Sequence, residues 1–289
     1  MRTADVLAEG RARLAAAGTE NPSLDASLLL AEALGKSRAA VIAGAGCVGA
    51  ESLAAFDGFL RRRIAGECVA YILGRKEFRG LDFAVNESVL VPRPDTEILV
   101  EAAVEWLDGE RGAGEGGAPR VLDLCTGSGA VAVAVKNEVP AAEVWATDVC
   151  PAALAVAAGN AERLLEGRSA IRFLRGDLLR AVPAGTVFDL IVGNPPYVPA
   201  GEIGGLSREV RGEPRLALDG GEDGLDLIRT IVAGARGLLR PGGALMVEAD
   251  PRQMGAIAAL MEKAGFADIG VSADLGGLER VIAGTKPLS

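Results

Sequence analysis

Histidine is absent from all 289 residues. That absence removes the Ser-His-Asp triad, the Cys-His pair, the imidazole general base and most transition-metal centres together. The four cysteines, Cys47, Cys68, Cys125 and Cys150, form no C-x-x-C pair, which argues against a zinc site and against a disulfide framework. They read instead as small buried hydrophobes. Aromatic residues make up only 4% of the chain. No apolar run reaches the roughly 18 residues that a membrane-spanning helix needs. The start, Met1-Arg2-Thr3-Ala4-Asp5, has an early acid and no continuous apolar stretch. It does not read as a signal peptide, and the expected address is the cytoplasm. Chemistry in this chain has to run on carboxylates, amides, backbone groups and a cofactor.

What is present is an Ala- and Gly-rich composition, 49% hydrophobic and 24% charged, as in globular proteins with a sizeable core. The length suits one large domain or two unequal ones. The net charge of −9 weighs against a duplex nucleic acid substrate, which needs positive potential. That charge is uneven: residues 1–76 hold ten Lys/Arg against eight Asp/Glu, leaving 20 against 31 in the remainder. The basic part contains Arg61-Arg62-Arg63, either a solvated helix face or a docking patch for an acidic or RNA-associated partner.

Residues 1–76 read as a small all-helical domain, with apolar spacings of three and four over Ala4–Ala17, Ser23–Leu34 and Ala50–Ala65. Ser23 is the expected N-cap of the second helix, and Gly35 its end. Residues 77–91 read as a linking β-hairpin, Phe78–Val85 and Val89–Val91, turned at Asn86-Glu87-Ser88. Residues 92–289 alternate strands with helices. The strands are Arg120–Cys125, Glu143–Asp148, Ala170–Gly176, Phe188–Gly193 and Gly243–Ala249; the helices are Val131–Glu138, Pro151–Leu165, Asp223–Leu238 and Arg252–Ala264. This β-α-β-α order calls for an α/β fold with a mostly parallel sheet. Ile269–Ala273 and Glu279–Gly284 suggest a terminal hairpin, and Gly109–Gly117 a loop.

The strongest local signal is Val121-Leu122-Asp123-Leu124-Cys125-Thr126-Gly127-Ser128-Gly129-Ala130, an apolar strand running into Gly-x-Gly and a helix. Glycine allows the sharp turn and lets a cofactor lie against bare main chain. Asp148 ends the next strand, where a carboxylate can accept both hydroxyls of a ribose; the alternative is a helix cap before Pro151. Gly127-x-Gly129-x-x-Ala132 also satisfies the looser dinucleotide fingerprint. Asp123 separates the two, because a carboxylate there opposes a pyrophosphate but suits the ammonium of a methionine moiety. Asp177, after the third strand, is placed to flank an adenine ring or to cap a turn.

Asn194-Pro195-Pro196-Tyr197 follows the fourth strand, at the edge where α/β sheets bind ligands. An amide or aniline-like nitrogen is a poor nucleophile because its lone pair is delocalised. The Asn194 side-chain oxygen and the Pro195 carbonyl can each accept one N–H and turn that lone pair toward a methyl donor. Prolines keep the acceptors fixed, and Tyr197 can stack on a planar target. The proton can leave after transfer, which suits a chain without histidine. The alternative is an ordinary Pro-rich turn.

Taken together, Asp123…Gly127-Ser128-Gly129 and Asn194-Pro195-Pro196-Tyr197 resemble the amino-methyltransferases that use S-adenosylmethionine. Tyr71-Ile72-Leu73-Gly74 with Phe78, Val91-Pro92-Arg93-Pro94-Asp95-Thr96-Glu97, and Glu213-Pro214 through Ala217-Leu218, Gly220-Gly221 and Asp223-Gly224 narrow the likeness to the HemK/PrmC family. The resemblance implies a Rossmann-like domain with a mostly parallel seven-stranded sheet behind a helical substrate-docking domain. It implies methylation of the glutamine side chain in the Gly-Gly-Gln motif of class I peptide chain release factors, with S-adenosylhomocysteine as product and no metal. By the same carry-over Asp123, Thr126, Gly127, Ser128, Gly129, Ala130, Asp148, Asp177, Leu178 and Asn194 would hold the cofactor, and Asn194, Pro195, Pro196 and Tyr197 the glutamine. The chain departs from the family's usual Glu-Ile-Gly, having Glu248-Ala249-Asp250, and from Gly-x-x-Arg, having Gly276-Gly277-Leu278-Glu279-Arg280. An adenine methyltransferase of DNA or RNA, and a non-catalytic cofactor-holding module, stand as the other readings.

Overall fold

The computed structural model describes residues 1–109, 117–167 and 170–288, and the chain divides into two compact units. One is Met1–Arg75 with Ser207–Gly212; the other is Lys76–Leu206 with Glu213–Ser289.

The first unit holds α1 (Thr3–Ala16), α2 (Pro22–Leu34), α3 (Arg38–Ile42), α4 (Ala50–Ile64) and α5 (Val69–Leu73). Their apolar stripes meet in one core containing Leu14, Leu29, Leu30, Phe56 and Leu60. Helices α3 and α5 were not expected, because five residues are too few to display a helical period. Ser23 is not the N-cap of α2. The helix begins at Pro22, with Asn21 at the cap position, since proline lacks the N–H that a first turn leaves unpaired. Gly35 does end α2, in the left-handed conformation. Arg63 serves neither as a solvated face nor as a docking patch. Its side chain is 4% exposed and donates to Asp25 at 2.7 Å and to Glu209. Arg61 pairs with Asp57 and Arg62 with Glu67.

The second unit runs β1 (Arg75–Phe78), β2 (Leu81–Ala84), α6 (Thr96–Asp108), β3 (Arg120–Leu124), α7 (Ala130–Glu138), β4 (Glu143–Asp148), α8 (Pro151–Leu165), β5 (Arg172–Arg175) and β6 (Phe188–Gly193). After α9 (Arg208–Arg211), which lies in the segment grouped with the first unit, come α10 (Asp226–Leu238), β7 (Leu239–Glu248), α11 (Met254–Lys263), β8 (Ala267–Ala273) and β9 (Glu279–Thr285). The hairpin is shorter and earlier than its sequence suggested. It turns at Arg79-Gly80, both at positive φ, with the Gly80 N–H on the Glu77 carboxylate. Val89–Val91 is not a strand; the Val91 N–H is taken by Glu213 at 3.1 Å, and Pro92 follows without an N–H to pair. Helix α10 starts at Asp226 instead of Asp223, whose carboxylate accepts the Leu225 N–H ahead of it. A 3-10 turn, Pro251–Gln253, precedes α11. The loop expected at Gly109–Gly117 lies mostly outside the described residues.

The seven strands order as β5-β4-β3-β6-β7-β9-β8, the first five parallel and β9 antiparallel to both neighbours. Strand alternation splits the core. Val121, Leu190 and Val192 face the side covered by α6, α7 and α8; Leu122, Leu124 and Ile191 face α10 and α11. Position 123 therefore points to the α7 side.

Candidate active site

Strand β3 lies between β4 and β6, so the chain order reverses there, and crevices at such reversals open at the carboxyl ends of the strands. Leu124 pairs with Gly193, which brings the loops leaving β3 and β6 side by side. A Cβ at Gly193 would stand 3.2 Å from the Leu124 carbonyl oxygen, so the absence of a side chain eases this close approach. A cleft of about 1060 Å³, counted out to open solvent, occupies this edge. Of the residues expected at the site, Asp123, Thr126, Gly127, Ser128, Ala130, Asp148, Asp177, Leu178, Asn194 and Pro196 line it. Gly129, Pro195 and Tyr197 are not among its lining residues.

The glycine loop is held from within. Thr126 N–H goes to Thr147 O, Gly127 N–H to the Asp148 carboxylate, and Gly129 N–H to Thr126 O. These donors are spent, which leaves a poor cradle for a pyrophosphate and disfavours the dinucleotide reading. Gly129, at φ 81, sits so close to α8 that a Cβ would meet the Ala157 Cβ at 3.1 Å. Asn160, fully buried on α8, adds a brace: its amide donates to Ser128 O at 2.9 Å and Ala84 O at 3.0 Å. The sequence reading missed this residue, since one Asn in a helical stretch carries no signal of its target.

Asp123 is 1% exposed; one oxygen accepts the Thr126 hydroxyl at 2.6 Å and the Ala132 N–H at 3.2 Å. Burial pushes its pKa up to about 7 against those hydrogen bonds, and the Asp148 charge adds to the rise. A cationic ligand would reverse that. Asp148 does not cap α8: the cap is Cys150, without a side-chain bond. The Asp148 oxygens accept Gly127 and Cys150 N–H groups at 2.9 Å each and retain lone pairs for hydroxyls. Asp177 precedes a 3-10 turn, makes no cap bond, and pairs with Arg180 at 3.2 Å. Cys125 and Leu178 both take positive φ on the cleft wall, strained positions of the kind that collect at binding sites. The Thr147 hydroxyl, also on the wall, is buried without a partner among the described residues. Bare glycine, three carboxylates and an unpaired hydroxyl fit a nucleoside bearing an amino acid cation.

The tetrapeptide is buttressed from behind. Val198 bridges to Asp219, and a Cβ on Gly220 would lie 2.7 Å from the Pro196 carbonyl oxygen. Gln253 donates to the Tyr197 carbonyl at 2.9 Å. Gly220 and Gly224 in the Gly-Gly-x-Asp-Gly stretch thus allow backbone to pack against the Asn-Pro-Pro-Tyr loop. Asn194 Nδ2 donates to the Thr96 hydroxyl at 3.0 Å, leaving its Oδ1 as an acceptor. The Tyr197 hydroxyl turns to Glu248 at 3.5 Å. Thr96 and Glu248 were not singled out from sequence; Thr96 lies within a quoted stretch, and Glu248 stood out only as part of a departure.

Comparison with known proteins places the chain in a family. The PrmC N-terminal domain family matches residues 5–74, and the Methyltransferase small domain family matches residues 110–205. A release factor glutamine methyltransferase of Bordetella pertussis is 46% identical over 264 residues, 91% of this chain and 94% of its own. One of the same description from Burkholderia pseudomallei is 44% identical, covering 92% of each. Among solved structures, a T. thermophilus 16S rRNA N2 G1207 methyltransferase in complex with AdoMet and guanosine superposes with a TM-score of 0.51. It is 22% identical, over 73% of this chain and 49% of that one, a likeness of fold alone.

Proposed function

The chain belongs to the release factor glutamine methyltransferase family, and from that premise we infer the division of labour in its cleft. The protein is an S-adenosylmethionine-dependent protein-glutamine methyltransferase, acting on the Gly-Gly-Gln glutamine of class I peptide chain release factors. The observation that carries the site reading is the Asn194 amide. One of its two N–H bonds goes to the Thr96 hydroxyl, which sets the orientation of the amide and leaves its oxygen for an incoming nitrogen.

When bound, S-adenosylmethionine supplies an electrophilic methyl group on a sulfonium. Asp123 would face the ammonium of its methionine part, Asp148 would take the ribose hydroxyls, and Thr126–Ala130 with Asp177-Leu178 would enclose the rest. Asn194 Oδ1 and the Pro195 carbonyl accept the two N–H bonds of the glutamine amide, which turns its lone pair toward the methyl donor. Tyr197, half-buried and tied through its hydroxyl, offers its ring to the planar amide. Fixed acceptors and alignment supply the catalysis, and the proton leaves after transfer. The helical unit is the docking element for the release factor, and the enzyme works in the cytoplasm without binding duplex nucleic acid. Among the described residues no helix is long and apolar enough to cross a membrane.

The test is transfer of labelled methyl from S-adenosylmethionine to a purified release factor, beside its Gly-Gly-Gln→Gly-Gly-Ala variant and duplex DNA. Label on the wild-type factor alone supports the function; label on DNA would move the chain to the adenine methyltransferases.

A further inference from the structure

The turn between β8 and β9 holds two leucines in water: Leu275 is fully exposed and Leu278 is 51% exposed. Its own hydrogen bonds close it. The Asp274 carboxylate accepts the Gly276 N–H at 2.9 Å, the Leu278 N–H at 3.0 Å and Arg280 Nε at 2.9 Å. The Asp274 N–H goes to Leu278 O at 2.8 Å, and Gly277, at φ 80, donates its N–H to Asp274 O at 2.9 Å. The leucines are therefore carried on a braced turn.

The sheet fixes where this turn lies. Gly193, just before the tetrapeptide, pairs with Val247, and Val247 pairs with Ile282 near the start of β9. The Ala249 N–H, past the end of β7, goes to Arg280 O at 3.1 Å. Arg280 also pairs with Asp95 at 3.2 Å, and Asp95 precedes Thr96, which lines the cleft. The turn thus projects from the carboxyl edge of the sheet, two strands from the tetrapeptide. Two strand spacings amount to about 10 Å. A cleft that takes one side chain of a folded protein has the surface around that side chain lying on its rim. Scattered exposed leucines are ordinary, but a braced pair on the rim offers apolar area to that surface, and a fixed turn loses little freedom on docking. We propose that Leu275 and Leu278 form an apolar docking surface for the release factor, covered by the residues that flank its Gly-Gly-Gln loop. This surface belongs to the catalytic unit and acts in addition to the helical one. The inference rests on a release factor being the substrate.

The surface is tested with Leu275→Asp, Leu278→Asp and the double variant, beside wild type and Leu288→Asp. Leu288, 83% exposed, follows β9 beyond Thr285, which pairs with Ala244 toward the opposite edge of the sheet. Melting temperature and affinity for S-adenosylhomocysteine should hold in all of them, because the changed side chains are exposed and none lines the cleft. The KM for a purified release factor should rise about tenfold in Leu275→Asp and further in the double variant, with kcat within about twofold. Leu275→Met should stay near wild type, and Leu288→Asp should leave KM unchanged. In a second measurement, p-benzoylphenylalanine in place of Leu275 should crosslink to the release factor within the segment beside its Gly-Gly-Gln loop. An unchanged KM in the double variant, an equal rise in Leu288→Asp, or crosslinks that fall elsewhere on the factor would overturn the surface. A wild type that methylates no release factor would refute the substrate reading, and this surface with it.

Discussion

The Asp148 carboxylate grips the Gly127 N–H with one oxygen and the Cys150 N–H with the other, each at 2.9 Å, tying the glycine loop to the end of β4. Asp148→Ala loses this brace and, in the proposed reading of the cleft, the ribose acceptor. Hydrogen bonds to a charged group contribute about 1.5–3 kcal/mol, so cofactor affinity should fall roughly 10- to 100-fold in a calorimetric titration. The rate at saturating cofactor should change far less.

Asn194→Ala should do the reverse. If Asn194 Oδ1 accepts from the glutamine amide as proposed, its removal reduces methyl transfer by at least about 100-fold, with cofactor affinity largely kept. A large loss of cofactor binding instead would mean that Asn194 serves the cofactor and not the glutamine.

Asp123 makes cofactor binding depend on pH. Its pKa in the folded protein stands near 7 against an ordinary 3.8, so the ionised form is carried at a cost. Without cofactor, that cost appears as pH rises from about 4 and is complete above about 7, so stability declines across this window. A bound ammonium favours the ionised form, so affinity should weaken as pH falls through about 7. Asp123→Asn should raise the melting temperature of the cofactor-free protein at pH 8 by roughly 2–4 °C and flatten the pH dependence of a much weaker affinity.

Gly220→Ala addresses the tetrapeptide without touching the cleft. Its Cβ would press on the Pro196 carbonyl oxygen from 2.7 Å, backbone against backbone. Overpacking of this kind costs about 1–3 kcal/mol, and kcat should fall more than cofactor affinity as Asn194 and Pro195 shift.

In the helical unit, Arg63→Met strands Asp25 in the interior. Breaking a buried pair from one side costs about 3–5 kcal/mol, and the Asp25→Asn/Arg63→Met double variant should recover part of it in thermal melts. Equal melting temperatures for wild type and Arg63→Met would show that the pair is not buried in solution.

The parts of the fold that sequence made legible are those where a period or a loop chemistry repeats. The apolar runs of β3 and β6 and the Gly127-x-Gly129 turn announce themselves, because a strand buried on both faces and a tight turn each carry their own local composition. The two-residue turn at Arg79-Gly80 was missed because Asn86-Glu87-Ser88 is the stronger turn signal by composition. Helices α3 and α5 were too short to show a period. At the site, Asp123, Asp148 and Asn194 follow from motif chemistry. Asn160, Thr96 and Glu248 do not, because their partners lie 32, 98 and 51 residues away and only the folded sheet joins them.

The central claim is that this cleft places a methyl group on one glutamine nitrogen. The most direct measurement is tandem mass spectrometry of a release factor after incubation with the enzyme and S-adenosylmethionine. A single added methyl on the Gly-Gly-Gln glutamine, absent with Asn194→Ala, is the predicted result. A methyl on any other residue, or the same product from Asn194→Ala, would contradict it.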